Sequence, residues 1–315
     1  MVYIILLLVS IFLTYCIRWY TIKKSILDIP NERSSHTHST PTGGGLAIVS
    51  TFYIGLFYFK EQIDIHLFTA LLWAIPITIV SILDDIYTLS SKIRFIIQSL
   101  SSIMALYSLG GVNNIDFIWF ELNGFWLNIL AFVSMLWLTN LYNFLDGIDG
   151  YAAMETITVG IGFFILFQNP LGLVVSVSSL GFLFFNWHKA SIFMGDVGSV
   201  TLGFIFSIFV FYDTGHGNIY IWLILLSLFW FDATVTLSRR YFNHEKITEA
   251  HKKHAYQRLV QSGWSPSRVV MYSGSINFFF LFLLDKLKTL QVLLIINIII
   301  MYLLLKFIDM KKDFK

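Results

Sequence analysis

Apolar runs of up to about twenty residues alternate with short polar segments along the whole chain. The runs lie near 2–20, 45–60, 66–83, 93–110, 125–142, 151–168, 171–187, 197–212, 219–237, 269–284 and 289–306. Segments of this kind suit a hydrocarbon layer about 30 Å thick, and they predict about eleven transmembrane helices in an all-α integral membrane protein. The longest predicted outer loop, GVNNIDFIWFELNG at 111–124, alternates apolar and polar residues and suits a small interfacial hairpin.

Five of the polar segments hold nearly all the acids and histidines that solvent exposure alone does not explain. They read DIPNERSSHTHSTPTGGG (28–45), DD (84–85), NFLDGIDG (143–150), MGDVGS (194–199) and EAHKKHAYQRL (249–259). The number of spans between successive segments is even, so all five face one side and can build one site. No Lys or Arg precedes the first span, whereas Arg18, Lys23 and Lys24 follow it, so the span reads as a retained helix with an outside N-terminus rather than a signal peptide. Eleven crossings then put the C-terminus and all five segments in the cytoplasm. Only Lys60, Lys286 and Lys288 fall outside, and the other 18 of 21 basic residues lie inside, as the positive-inside rule requires.

Composition agrees. Hydrophobic residues make up 57% of the 315 and charged residues only 13%, about half the usual soluble share, and the mean hydropathy is +0.73. A formal charge of +2 gives no footprint for nucleic acid. The single Cys16 excludes an intrachain disulfide and a cysteine zinc site. With no fixed-period repeat and no soluble segment, residues 1–315 read as one polytopic domain whose partners include membrane lipid.

Asp146 and Asp149 stand three apart, each followed by glycine, a spacing that shares a face at a helix start. Asp84 and Asp85 are adjacent and repel unless a cation or proton intervenes, and Asp196 is flanked by glycines. Hard oxygen ligands without cysteine point to Mg²⁺ or Mn²⁺, and Mg²⁺ uses one or two carboxylates plus phosphates and water. Arg33, His36 and His38 precede the Pro-Thr-Gly-Gly-Gly turn containing Thr42, whose backbone N–H groups suit phosphate. Lys92 and Arg94 flank the fourth span, and a basic cluster with His251 and His254 fills the loop after the ninth. These histidines lack the HExxH spacing of a zinc protease. Asp232, inside the ninth span, reads as a structural partner of a basic residue.

In order, D-x-P-N-x-R (28–33), P-T-G-G-G (41–45), L-D-D (83–85), N-F-x-D-G-x-D-G (143–150), F-M-G-D-x-G-S (193–199), D-A-x-x-T-L-x-R-R (232–240) and H-x-x-H-A-Y-Q-R-L (251–259) resemble the polyprenyl-phosphate N-acetylhexosamine-1-phosphate transferases, similar to glycosyltransferase family 4. The resemblance implies Mg²⁺ on Asp196, and Asp84 and Asp85 near the metal and the lipid phosphate. It implies Asn143, Asp146 and Asp149 along the nucleoside and sugar-diphosphate pocket, Asn186 and Phe193 beside uracil, and His251 and His254 on phosphate. Arg33, His36 and Thr42 join the substrate-binding set, Arg33 or the histidines standing where relatives carry a lysine. The implied substrates are a UDP-N-acetylhexosamine and undecaprenyl phosphate, with UMP as product. A homodimer and a cytoplasmic or inner membrane are implied too. The H-x-x-H-A-Y-Q ending resembles the O-antigen initiating branch.

Phosphoryl transfer between two anionic partners needs positioning and charge neutralisation above all. The rival class is a transporter, which expects acids near span centres, whereas here the acids of the five segments gather at inner helix ends, with Asp232 the exception.

Overall fold

The computed structural model describes residues 1–30, 38–116, 120–214, 219–247, 249, 251–287 and 289–314. Arg33 and His36 lie outside the described residues. The helices are α1 (Val2–Lys23), α2 (Gly45–Tyr58), α3 (Ile65–Leu72), α4 (Ala74–Tyr87), α5 (Ser91–Ser108), α6 (Gly124–Phe144), α7 (Tyr151–Phe167), α8 (Pro170–Asn186), α9 (Asp196–Thr214), α10 (Ile219–Leu225), α11 (Ser227–Phe242), α12 (Ala255–Gln261), α13 (Pro266–Lys286) and α14 (Leu290–Lys311). Among the described residues two antiparallel strand pairs complete the fold: β1 (Leu27–Asp28) with β2 (Thr40–Pro41), and β3 (Asn114–Asp116) with β4 (Glu121–Asn123). The second is the hairpin expected in the 111–124 loop.

Local chemistry explains where helices begin. Asn169 accepts from the N–H of Leu171 ahead of Pro170, and Ser265 accepts from Arg268 ahead of Pro266, two starts built from a side-chain cap and a proline at the first helical position. Asp64 caps α3 through His66 and Leu67. Pro76 cannot donate to the carbonyl of Leu72, and the chain turns at Trp73 between α3 and α4.

Each expected apolar run falls on helix. Among the described residues, six spans are fit by length and composition to cross a membrane: α1, α3 with α4, α6, α9, α13 and α14; α10 and α11, bent by 77°, make a seventh if they count as one. The helices α2, α7 and α8 are apolar but shorter; the 14 residues of α2 reach only about 21 Å. Helix α5 carries Lys92, Arg94 and Gln98 and is not among the six. Large apolar side chains cover outer faces, among them Leu8, Phe12 and Trp19 on α1, Ile96, Leu100 and Ile103 on α5, and Ile295, Ile299 and Leu303 on α14. Water would not tolerate such continuous surfaces; this is the all-α architecture of a multi-pass membrane protein.

Helix α9 is the axis. Of its most apolar stretch 89% is buried, against 17% for α1 and 28% for α14, so α1 and α14 are peripheral. Without a hydrophobic drive between helices in lipid, close packing needs small residues, and glycines supply it. Gly45 of α2 and Gly198 of α9 meet backbone to backbone, as do Gly160 of α7 and Gly172 of α8, while Gly203 of α9 lies against the Leu138 carbonyl of α6. These contacts draw α2 and α6 against α9, and Asp85 of α4 meets the start of α9 at the same rim.

Candidate active site

At that rim the carboxylates of α4 meet the first turn of α9. Asp85 accepts from the backbone N–H of Asp196 (3.0 Å) and of Val197 (3.2 Å), so its two oxygens cap α9 and satisfy donors that a helix start leaves unpaired. Asp84 turns the other way: Oδ1 accepts from the Leu89 N–H at 2.6 Å, and Oδ2 lies 2.7 Å from Arg94 Nη1. The same nitrogen lies 3.0 Å from Asp196 Oδ2. One guanidinium nitrogen on the first turn of α5 thus joins two carboxylates from α4 and α9. Arg94 is the most open of the three, its side chain 36% exposed against 9% for Asp84 and 25% for Asp196.

The glycine-rich turn packs onto this pair. Phe193 N–H donates to Pro41 O, Gly44 N–H to Phe193 O and Gly45 N–H to Met194 O, a short ladder tying 41–45 to 193–194. At Gly195 (φ +74°) a Cβ would lie 2.7 Å from Asp85 Oδ2, 3.0 Å from the Thr42 hydroxyl and 3.1 Å from the Gly43 nitrogen. Only glycine fits that conformation and that approach. Thr42, Asp85 and Asp196 are therefore neighbours, and Phe193 is held through its backbone beside them.

The segment between α6 and α7 completes the rim. Asn143 accepts from the Ser199 hydroxyl of α9 at 3.1 Å. Asp146 and Asp149 are not on a helix start: both lie in the loop, because Gly150 at φ +77° delays the helix to Tyr151. Burial in this crowded loop, then the charges of Asp196, Asp85 and Asp149, push the Asp146 carboxyl up to about 7. Asp149 faces elsewhere and pairs with His188 Nδ1 (2.8 Å) and the Ala190 N–H (3.1 Å). Asn186 is buried: its oxygen accepts from the Gly150 N–H and its amide donates to Ile192 O. It pins the two loops together from beneath rather than opening onto the rim.

The histidine loop is braced from within. His254 is 2% exposed, its Nδ1 3.4 Å from Asp232 Oδ1, which also accepts from the Ala255 N–H and the Thr236 hydroxyl. Asp232 thus partners a histidine and the start of α12, while Arg239 pairs with Asp309. His251 is half-buried and its ring packs beside His254; burial first, then His254 and Arg240, hold its pKa down at about 4. Of the basic residues here, Arg240 and Lys253 pair with Glu245, Arg258 with Asp309, and Lys246 with Glu249. Tyr256 bridges to the acidic loop, donating to Phe144 O and stacking on Tyr151.

Among the described residues no three His, Cys, Asp or Glu side chains form a metal cage. The donor set nonetheless fits a hard divalent cation: Asp84 Oδ2 and Asp196 Oδ2 already converge on one cationic nitrogen, and Mg²⁺ needs no more protein carboxylate than that. A cavity of about 530 Å³ lies elsewhere, between α5 and α6 near Gly110, Gly111 and Phe125; its lining is mostly apolar and lacks the chemistry of the rim. Sequence reasoning passed over His188, for which no motif spoke, and Glu155. Glu155 is buried one turn into α7 and accepts from Asn277 Nδ2 of α13, a second acid within the apolar runs beside Asp232.

The sequence profile of glycosyl transferase family 4 matches residues 67–213. A probable undecaprenyl-phosphate N-acetylglucosaminyl 1-phosphate transferase of Bacillus subtilis strain 168 is 34% identical over 294 residues, covering 88% of this chain and 82% of the relative. An undecaprenyl-phosphate alpha-N-acetylglucosaminyl 1-phosphate transferase of Thermotoga maritima is 26% identical, covering 89% and 88%. A phospho-N-acetylmuramoyl-pentapeptide-transferase of Streptococcus pneumoniae is 31% identical over 191 residues, 52% of this chain and 56% of that one.

Proposed function

The chain belongs to glycosyl transferase family 4, as a polyprenyl-phosphate sugar-1-phosphate transferase, and from that membership we propose that it moves N-acetylhexosamine 1-phosphate from a UDP-sugar to undecaprenyl phosphate. An oxygen of the lipid phosphate attacks the sugar-bearing phosphorus, the bond from that phosphorus to UMP breaks, and the products are UMP and a lipid-linked sugar diphosphate. The observation that carries this reading is the meeting of Asp84, Asp85, Asp196 and Arg94 with the glycine-rich turn at one rim.

Asp196 and Asp84 would hold Mg²⁺, with Mn²⁺ as substitute. The ion would supply charge neutralisation to the phosphates. Asp85 keeps α9, and with it Asp196, in register. In the Gly43–Gly45 turn the N–H groups of Gly44 and Gly45 are given to Phe193 O and Met194 O, which leaves the Gly43 N–H as the turn's backbone donor beside the metal pair among the described residues, where phosphate oxygens need donors. Asp146 and Asn143 line the same rim for the donor, and His251, packed against the buried His254, is the histidine offered to phosphate. A phosphate monoester with its second pKa near 6 is already mostly dianionic at neutral pH, so the reaction needs no dedicated base.

The eleven apolar runs, the outside N-terminus and the inner placement of 18 of 21 basic residues support a cytoplasmic site in a single polytopic domain of the cytoplasmic or inner membrane. There a soluble nucleotide meets a lipid phosphate held at the interface. The H-x-x-H-A-Y-Q ending favours the first sugar of a cell-envelope polysaccharide, O-antigen foremost. The test is lipid-dependent UMP release from a panel of UDP-N-acetylhexosamines, 6-deoxy sugars included. Release from one donor names the sugar; release from none, by folded protein, rejects the reaction.

A further inference from the structure

Arg94 is placed oddly for a permanent structural ion pair. A guanidinium carries five N–H donors on three nitrogens and grips one carboxylate best through two parallel bonds. Here a single nitrogen, Nη1, is shared by Asp84 Oδ2 and Asp196 Oδ2, and among the described residues Nε and Nη2 make no hydrogen bond. The carboxylates do not need Arg94 to stay in place: Asp84 is anchored through Oδ1 by the Leu89 N–H, and Asp196 opens α9, whose first turn Asp85 caps. What the pair does need is positive charge between its facing oxygens.

Resting on the transferase reading above, we propose that Arg94 is the internal counter-ion of the substrate-free site and a phosphate ligand of the loaded one. Its guanidinium neutralises Asp84 and Asp196 until a divalent cation takes them. Freed, and already more than a third exposed, it turns its unused N–H groups to a phosphate oxygen. The two roles couple the ligands: cation binding releases the group that phosphate binding requires, so phosphate binds better once the cation is in place.

The test uses the full chain purified in detergent. Free Mn²⁺ is followed by electron paramagnetic resonance without substrate, with Mg²⁺ as competitor. Arg94→Gln removes the competitor, so the variant should bind Mn²⁺ about threefold to fivefold tighter than the wild type, the scale of a partly exposed ion pair. Its thermal midpoint should lie below the wild type's without metal and gain more on adding Mg²⁺. With Mn²⁺ saturating, UDP and dodecyl phosphate are titrated separately, and Arg94→Gln should weaken at least one of them about tenfold, with Arg94→Lys between. Weakening confined to UDP assigns Arg94 to the nucleotide sugar, and weakening confined to dodecyl phosphate assigns it to the lipid. Equal or weaker Mn²⁺ binding by Arg94→Gln overturns the counter-ion role. Unchanged affinity for both phosphates overturns the second role. The metal site is checked apart, by Asp196→Asn: if that variant keeps Mn²⁺ binding, the metal assignment fails and Arg94's exchange with it.

Discussion

Asp85 takes the two backbone donors at the start of α9 with both of its oxygens, and that commitment separates it from Asp84 and Asp196 despite the shared motif. Asp85→Ala should therefore cost about 1–2 kcal/mol of stability, as loss of a helix cap does, seen as a lower midpoint of thermal unfolding in detergent. Asp146 is a titrating group of another kind. Its carboxyl, pushed up to about 7, keeps a proton that the unfolded chain has already lost above about pH 4. Metal-free protein should then lose stability as pH rises from about 4 to 7. His251, held down at about 4, acts oppositely, gaining stability from about pH 4 to 6.5, and because both wild type and Asp146→Asn carry it the comparison between them cancels it. Between about pH 4 and 7 the thermal midpoint of the wild type should fall relative to that of Asp146→Asn; parallel profiles would contradict the assignment. Neither group's state was legible in the sequence, because it is set by neighbours from other loops.

A loop and a helix far apart in sequence, the α6–α7 loop and α12, are locked by one contact at the scale of elements. Gly147 of the α6–α7 loop touches the Tyr256 hydroxyl so closely that an added Cβ would overlap it, and that hydroxyl donates to Phe144 O. Gly147→Ala should lower both stability and turnover, and Tyr256→Phe in the same chain should restore part of each. Additive losses in the double-mutant cycle would show that the contact is not the cause. Helices were legible from apolar runs, and the 111–124 hairpin from alternation, since both follow periodicities local to the chain. The loop position of Asp146 and Asp149 was not, because it depends on a positive φ at Gly150 that a motif does not display. Nor was the enclosure of α9: its run looks like any other apolar span, and only packing among α2, α4 and α6 makes it the axis.

For the whole molecule, the sequence brought Asp84, Asp85, Asn143, Asp146 and Asp196 to one rim by counting spans, and the structure gathers them through Asp85, Ser199 and the charges around Asp146. Counting could not tell that Asn186 is a buried pin or that Arg94 stands between two acids, since both facts depend on side-chain direction. The topology has its own check. With Cys16 replaced by serine, a cysteine at Lys60 should react with an impermeant maleimide added outside intact cells, whereas one at Lys252 should react only after permeabilisation. The reverse pattern would invert the protein and put the rim outside.

The central claim is phosphoryl transfer at the Asp84–Asp196 rim, and UMP release tests it most directly. Purified protein given Mg²⁺, undecaprenyl phosphate and the matching UDP-N-acetylhexosamine should release UMP only when the lipid is present. Asp196→Asn, correctly inserted, should lose at least about a hundredfold in rate, the scale of several kcal/mol of charge stabilisation. Full activity in that variant, or no lipid-dependent UMP from any donor with folded wild-type protein, would contradict it.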